Sequence, residues 1–251
     1  MDSLQKLGLI GRNISYSFSK KYFENKFKEL HISDCSYDIF DLQNIEEIET
    51  IFNLKNLIGF SVTIPYKEQI IPYLDTLSEE ADKIGAVNCV AIQNGKRIGY
   101  NTDAFGFEKT LLKHKTPQQN SALVLGDGGA AKAVKFVLEK NHIPYKTVSR
   151  KSDINFESLN SEIVSKHPII IQCTPVGTFP NVNDCVTFPF EGITPEHLVI
   201  DLIYNPEETQ FMKNAKKNGA SVVNGLYMLE QQAEKAWEIW NYAKKNHNLV
   251  D

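Results

Sequence analysis

Leu123-Val124-Leu125-Gly126-Asp127-Gly128-Gly129-Ala130-Ala131 reads as an apolar strand, a glycine-rich turn and the start of an alanine-rich helix. The spacing is G-x-G-x-x-A. The first glycine permits a tight turn, the second lets a pyrophosphate approach the backbone, and the small third residue lets helix and strand pack closely. Helix N-terminal N–H groups then meet the phosphate charge. The glycine pattern alone also describes an ordinary βα turn. A strand before it and a helix after it favour dinucleotide binding, with Gly126, Gly128, Gly129 and Ala130 as contacts. Asp127 is awkward there, since a carboxylate repels a pyrophosphate; its side chain is expected to point away or to cap locally.

About 20 residues past the glycines, an NAD site would carry Asp or Glu for the ribose 2′-hydroxyl. Ser149-Arg150-Lys151 stands there instead. Two cations and a hydroxyl suit a 2′-phosphate, which arginine grips with paired N–H bonds. A solvated basic loop is the plainer reading of such a triplet, but its position at the end of the second strand favours NADP.

The alternation continues in both directions. Apolar runs at 122–125, 145–148, 169–172, 198–202 and 221–223 read as strands separated by helices, the pattern of an α/β sheet. Asn205-Pro206-Glu207-Glu208 reads as a helix start, with Asn as cap and Pro at the first helical position. Residues 226–246 read as one amphipathic helix whose Leu229, Ala233, Ala236, Trp237 and Trp240 form an apolar stripe. Its length suggests that it packs back on another domain. Upstream, strands are expected over 4–10, 37–42 and 58–64, and Ile45, Ile48, Ile51 and Phe52 give 43–53 a helical period. Asn94-Gly95, between two alternating segments, marks a tight hairpin. A helix over about 103–114 precedes the polar segment Thr116-Pro117-Gln118-Gln119-Asn120-Ser121, a candidate boundary.

Composition removes several classes. At 251 residues the chain suffices for one large or two modest domains. A net charge of −4, from 27 Lys+Arg and 31 Asp+Glu, gives no general attraction to nucleic acid. No apolar run approaches the roughly 20 residues of a membrane helix, and the first residues have no signal-like character. Cys35, Cys89, Cys173 and Cys185 form no C-x-x-C pair and have no His at zinc spacing. The expectation is a cytoplasmic protein with reduced thiols and a small-molecule substrate, with no metal, nucleic-acid or membrane partner.

Two patches in the first half carry candidate chemistry. Gly59-Phe60-Ser61-Val62-Thr63-Ile64-Pro65-Tyr66-Lys67 places a hydroxyl and an amine just past a buried strand, where open α/β sheets bind ligands. Gly99-Tyr100-Asn101-Thr102-Asp103 places a carboxylate at a strand-to-helix transition. Singly, Lys67 reads as a surface lysine and Asp103 as a helix cap.

Together with the glycine turn, these segments closely resemble the shikimate dehydrogenase family along essentially the whole chain. Gly11-Arg12-Asn13-Ile14-Ser15-Tyr16-Ser17-Phe18-Ser19 is similar to that family's serine motif, which implies that Ser15 and Ser17 bind the substrate carboxylate. Val62-Thr63-Ile64-Pro65-Tyr66-Lys67 matches its catalytic-lysine strand, with Lys67 catalytic and Thr63 a substrate contact. Gly85-Ala86-Val87-Asn88 resembles its G-A-V-N element, making Asn88 a hydroxyl ligand. Asn101-Thr102-Asp103 resembles its N-T-D, making Asp103 the partner of Lys67 and a further substrate ligand. Ser149-Arg150-Lys151 sits where the family commonly has N-R-T. Cys173-Thr174-Pro175-Val176-Gly177 resembles its cofactor loop, with Thr174 near the cofactor. Asp201-Leu202-Ile203-Tyr204-Asn205-Pro206 and Gly225-Leu226-Tyr227-Met228-Leu229 are similar to its late signatures; by that match Leu202 and Gly225 lie near the nicotinamide and Tyr204 near the substrate. Gln232 matches a substrate-binding glutamine. Ser61 replaces the family's usual Asn, Lys20 stands where Pro often follows the third serine, Glu24-Asn25 replaces His-Asn, and Asp127 replaces a frequent Ala.

The resemblance implies two α/β domains: a substrate-binding catalytic domain over 1–104, completed by the C-terminal helix 226–251, and a Rossmann-type NADP-binding domain over 105–225. It implies reversible NADPH-dependent reduction of 3-dehydroshikimate to shikimate, a step toward chorismate and the aromatic amino acids. A quinate/shikimate dehydrogenase with relaxed cofactor use, or a non-catalytic NADP-dependent sensor, are the alternatives.

Overall fold

The computed structural model describes residues 4–14 and 17–247. It divides the chain into two compact units, Met1–Thr102 with Ala233–Asp251, and Asp103–Gln232.

The first unit holds β1 (Gln5–Gly11), α1 (Phe18–Glu29), β2 (Cys35–Asp41), α2 (Ile48–Phe52), β3 (Gly59–Val62), β4 (Thr76–Leu77), α3 (Glu79–Ile84), β5 (Cys89–Gln93) and β6 (Lys96–Tyr100). Its sheet runs β2-β1-β3-β5-β6-β4 and is mixed. β1 is parallel to β2 and β3, whereas β5 is antiparallel to both β3 and β6. The β5–β6 reversal is the expected Asn94-Gly95 hairpin, with φ of 51° and 73° at the two turn residues. The expected helix over 43–53 is shorter: a 3-10 turn, Ile45–Glu47, precedes α2, and Glu47 Oε1 accepts from Asn44 N at 3.0 Å.

Strand alternation divides the apolar side chains between the two sheet faces. Leu7 and Leu9 join Phe23 and Phe27 of α1 on one face; Ile10 joins Ile48, Phe60 and Val62 on the other. Ala233, Ala236, Trp237 and Trp240 of the predicted C-terminal stripe belong to the first of these clusters. Trp240 is fully buried and donates its indole N–H to Val90 O at 2.9 Å.

The second unit holds α4 (Thr102–His114, beginning on the last residue of the first unit), β7 (Ala122–Leu125), α5 (Gly129–Lys140), β8 (Tyr145–Val148), α6 (Ser161–Ser165), β9 (Ile169–Gln172), β10 (Leu198–Asp201), α7 (Gln210–Lys217) and β11 (Ser221–Val223). α8 (Leu226–His247) gives its first residues to this unit and the rest to the other. The sheet runs β11-β10-β9-β7-β8 with every pair parallel. All four residues of β7, of β9 and of β10 are buried, as a parallel sheet covered on both faces requires. The polar 116–121 segment lies within this unit and is tied down: Gln119 is buried, accepts from Thr116 N at 2.9 Å and donates to Glu196 O at 2.8 Å.

One expectation is corrected. The helix after β10 begins at Gln210 with Thr209 as cap, not at Asn205. Thr209 Oγ1 accepts from Met212 N at 3.2 Å and donates to the buried Asp201 Oδ2 at 2.7 Å. The Asn205 carbonyl instead accepts from Phe179 N at 3.0 Å, so it starts no helical ladder. A buried carboxylate thus selects the cap, four residues after Asn205.

Candidate active site

In the first unit, topology alone gathers the candidate residues. β1, β2 and β3 are parallel, so the segments following them leave the same sheet edge. β5 is antiparallel to β3 and therefore enters at that edge, and β6, antiparallel to β5, leaves there. Ser17 follows β1, Thr63 and Lys67 follow β3, Asn88 precedes β5, and Asn101-Thr102 follow β6. Ser15 lies outside the described residues.

Backbone bonds fix this edge. Thr63 N donates to Ile10 O at 2.9 Å, Val62 N to Asn88 O at 2.8 Å, and Val87 N to Lys67 O at 2.7 Å. The last closes the Lys67 turn onto the segment that carries Asn88. Tyr66, fully buried, anchors the same turn by donating its hydroxyl to Leu42 O at 2.7 Å. Lys67 itself is half-buried. Ser17 caps α1, its hydroxyl accepting from Ser19 N at 3.3 Å. The Asp41 carboxylate, at the end of β2, accepts from Asn13 N at 2.8 Å and Ile14 N at 3.2 Å, holding the approach to the serine motif.

Asn88 is nearly fully buried. Its Oδ1 accepts from Thr102 N at 2.6 Å, and Asn101 Nδ2 donates to Ala86 O at 2.8 Å. The two asparagines cross-link the G-A-V-N and N-T-D segments.

In the second unit, the nucleotide candidates again share one edge. Gly126 follows β7, Ser149-Arg150-Lys151 follow β8, Thr174 follows β9, Leu202 follows β10, and Gly225 lies just past β11. Because all five strands are parallel, all five segments leave from their carboxyl ends. β7, the first strand in sequence, pairs with both β8 and β9. The chain's crossover connections diverge on either side of it, which is where such sheets bind ligands.

Gly126 has φ of +109°, the left-handed region glycine tolerates. Gly128 is different: its φ is −83°, and a Cβ added there would meet no atom within 4 Å. The protein's own packing does not demand glycine at this helix cap, and the open space above it is where a phosphate would approach α5, whose first residues are Gly129 and Ala130. Asp127 turns away as expected, accepting from Lys135 Nζ at 3.3 Å. Arg150 and Lys151 are exposed, and among the described residues neither pairs with a carboxylate. Ser149 is buried in its own turn, paired with the Ser152 hydroxyl at 3.1 Å and accepting from Lys151 N at 3.2 Å. These groups fit a dinucleotide bearing an additional phosphate.

The remaining positions are structurally explicit. At Gly225 an added Cβ would lie 2.1 Å from Leu202 O, so these two residues meet through bare backbone. Tyr204 follows Leu202 and is half-buried. Gln232 lies on α8 where a Cβ at Gly106 would come within 3.2 Å of it, and Asp103 stands in the first turn of α4, buried. Gln172 had no predicted role, yet it holds the Thr174 loop: its Oε1 accepts from Thr174 N at 2.5 Å and its Nε2 donates to Thr174 O at 3.1 Å. Its signal was a lone polar residue closing the apolar run Ile169-Ile170-Ile171. Asp41 and Gly106 left no such mark.

Among the described residues, no helix is long and apolar enough to cross a membrane. The four cysteines are free. Burial raises the thiol pKa of Cys89 and Cys173.

Comparison with known proteins gives concordant matches. A family model described as the shikimate dehydrogenase substrate binding domain matches residues 9–90. A shikimate dehydrogenase (NADP(+)) of Clostridium perfringens is 39% identical, the alignment covering 96% of this chain and 94% of that one. One from Methanococcus vannielii is 36% identical over 97% and 94%. The crystal structure of shikimate 5-dehydrogenase from Thermus thermophilus, in complex with NADP(H) and shikimate, superposes with a TM-score of 0.84 at 29% identity, covering 94% and 93%.

Proposed function

Since this chain belongs to the shikimate dehydrogenase family, we propose that it catalyses the reversible NADPH-dependent reduction of 3-dehydroshikimate to shikimate, in the route to chorismate and the aromatic amino acids. It is an NADP-dependent oxidoreductase acting on a CH–OH group. The observation that carries this reading is the bond from Val87 N to Lys67 O, which sets the amine-bearing turn beside Asn88 at the edge shared by Thr63 and Ser17.

Substrate binding is assigned to residues 1–104 with 226–251, and NADP binding to 105–225. NADPH, when bound, supplies the hydride that the substrate's C3 carbonyl carbon receives. Glycines 126, 128 and 129 with Ala130 would hold its pyrophosphate at the α5 N-terminus, and Arg150 and Lys151 with Ser149 its 2′-phosphate. Thr174, Leu202 and Gly225 would line the nicotinamide end.

Lys67, as an ammonium, stabilises the charge that develops on the carbonyl oxygen and donates the proton to it; in the reverse direction the amine accepts that proton. Asp103 serves as its counter-charge and accepts a substrate hydroxyl. Ser15 and Ser17 take the carboxylate, while Thr63, Asn88, Tyr204 and Gln232 orient the ring hydroxyls. A cytoplasmic location belongs to the same reading, since NADPH and reduced thiols coexist there. Following NADPH consumption with 3-dehydroshikimate, and NADP+ reduction with shikimate, tests the assignment. Comparable turnover of quinate or of NADH would redirect it.

A further inference from the structure

Tyr37 is a tyrosine in a site that a phenylalanine would fill. Its ring stacks on Phe23 at 4.5 Å with 14° between planes and lies 6.3 Å from Trp240. It is 2% exposed. A hydroxyl buried among rings costs free energy unless it is hydrogen-bonded. Here the hydroxyl has its partner: Tyr37 Oη donates to Ser61 Oγ at 3.1 Å. Burial raises the phenol pKa, so the group remains a neutral donor.

We propose that Tyr37 is a positioning residue for the substrate's anionic group, holding the Ser61 hydroxyl so that it presents its proton rather than a lone pair. The inference rests on the substrate reading given above. With one Ser61 lone pair engaged by Tyr37, the Ser61 proton is directed elsewhere. Ser61 lies two residues before Thr63, hence on the same face by strand alternation. Ser17 Oγ accepts from Ser19 N at 3.3 Å, which likewise leaves its proton to donate outward. Hydroxyls polarised in one direction reinforce one another and suit a ligand atom that only accepts, a carboxylate oxygen. The stacked ring cannot swing aside, so the alignment exists before the ligand arrives.

The test is Tyr37→Phe, which keeps the stack and deletes one oxygen. The KM for shikimate is expected to rise about tenfold, with a far smaller change in kcat and an unchanged KM for NADP+. Ser61→Ala should raise the same KM, Ser61→Thr should recover most of that loss, and the Tyr37→Phe/Ser61→Ala double variant should be no worse than the poorer single one. If Tyr37→Phe does not fold, the Ser61 pair carries the same comparison. An unaltered shikimate KM in Tyr37→Phe, or equal losses toward shikimate and NADP+, would overturn the role of Tyr37 alone. Absence of turnover in the wild type would instead overturn the underlying substrate reading.

Discussion

Thr102 donates its backbone N–H to Asn88 Oδ1 at 2.6 Å, while Asn88 Nδ2 donates to the Thr102 hydroxyl at 3.0 Å. One amide therefore serves two ends. It caps the first turn of α4, and it stands at the sheet edge where substrate hydroxyls are expected. Asn88→Ala leaves a buried N–H without an acceptor, which costs about 1–3 kcal/mol, and should lower both stability and shikimate affinity. Asn88→Asp keeps the acceptor beside a helix N-terminus that favours negative charge. It should retain most of the stability while losing turnover. Denaturant midpoints and shikimate KM, measured on both variants, separate the two duties.

Two glycines in the second unit should respond oppositely to alanine. Gly225→Ala drives a methyl into the Leu202 carbonyl, whose oxygen lies 2.1 Å from the added carbon, and should cost about 1–3 kcal/mol or more. Gly128→Ala adds a methyl to open space and should be nearly neutral for folding. It should nonetheless raise the KM for NADPH at least about tenfold, by occupying the space a pyrophosphate needs. Thermal melts beside NADPH titrations of both variants show whether the contrast holds.

Arg150→Ala should weaken NADPH binding by about 1.5–3 kcal/mol, the worth of a hydrogen bond to a charged group, and leave NADH binding nearly unaltered. Equal losses for the two cofactors would remove Arg150 from the 2′-phosphate.

Asp201 makes stability depend on pH. Burial, the larger influence, raises its pKa from 3.8 to about 6, against the opposing bonds from Thr209 and Ile203 N. The folded state thus binds this proton more tightly than the unfolded state. Stability from this group is full below about pH 4, falls as pH rises toward 6, and is lost beyond it, a change on the order of 3 kcal/mol. Urea midpoints between pH 4 and 7 should show that decline in the wild type and a flatter profile in Asp201→Asn. An identical slope in both would assign it to other groups.

Much of this architecture is legible in the chain because apolar runs bounded by polar turns mark each parallel strand, and motif residues fall just past them. Gly126 and Arg150 are read from their positions just past strands, whereas Thr174 and Leu202 come from the family resemblance; the parallel strands deliver all four segments to one edge. What escaped depends on contacts remote in sequence. Thr209 rather than Asn205 caps α7 because Asp201 lies within reach of it, and no local pattern reports that. Asp41 holds Asn13 and Ile14 from a different strand, and Gly106 yields room to α8 from a different helix. The Tyr37–Ser61 bond joins two strands through side chains whose types, read singly, describe only a core aromatic and a small polar residue.

Proton delivery by Lys67 in the NADPH-dependent reduction of 3-dehydroshikimate is read out by a single-turnover comparison of the wild type with Lys67→Ala. The wild type should consume NADPH only when 3-dehydroshikimate is present. The variant should fold and still bind both ligands, with a rate lower by about 100- to 10,000-fold, the usual worth of a positioned acid. No turnover by the wild type, or an undiminished rate in Lys67→Ala, would contradict the account.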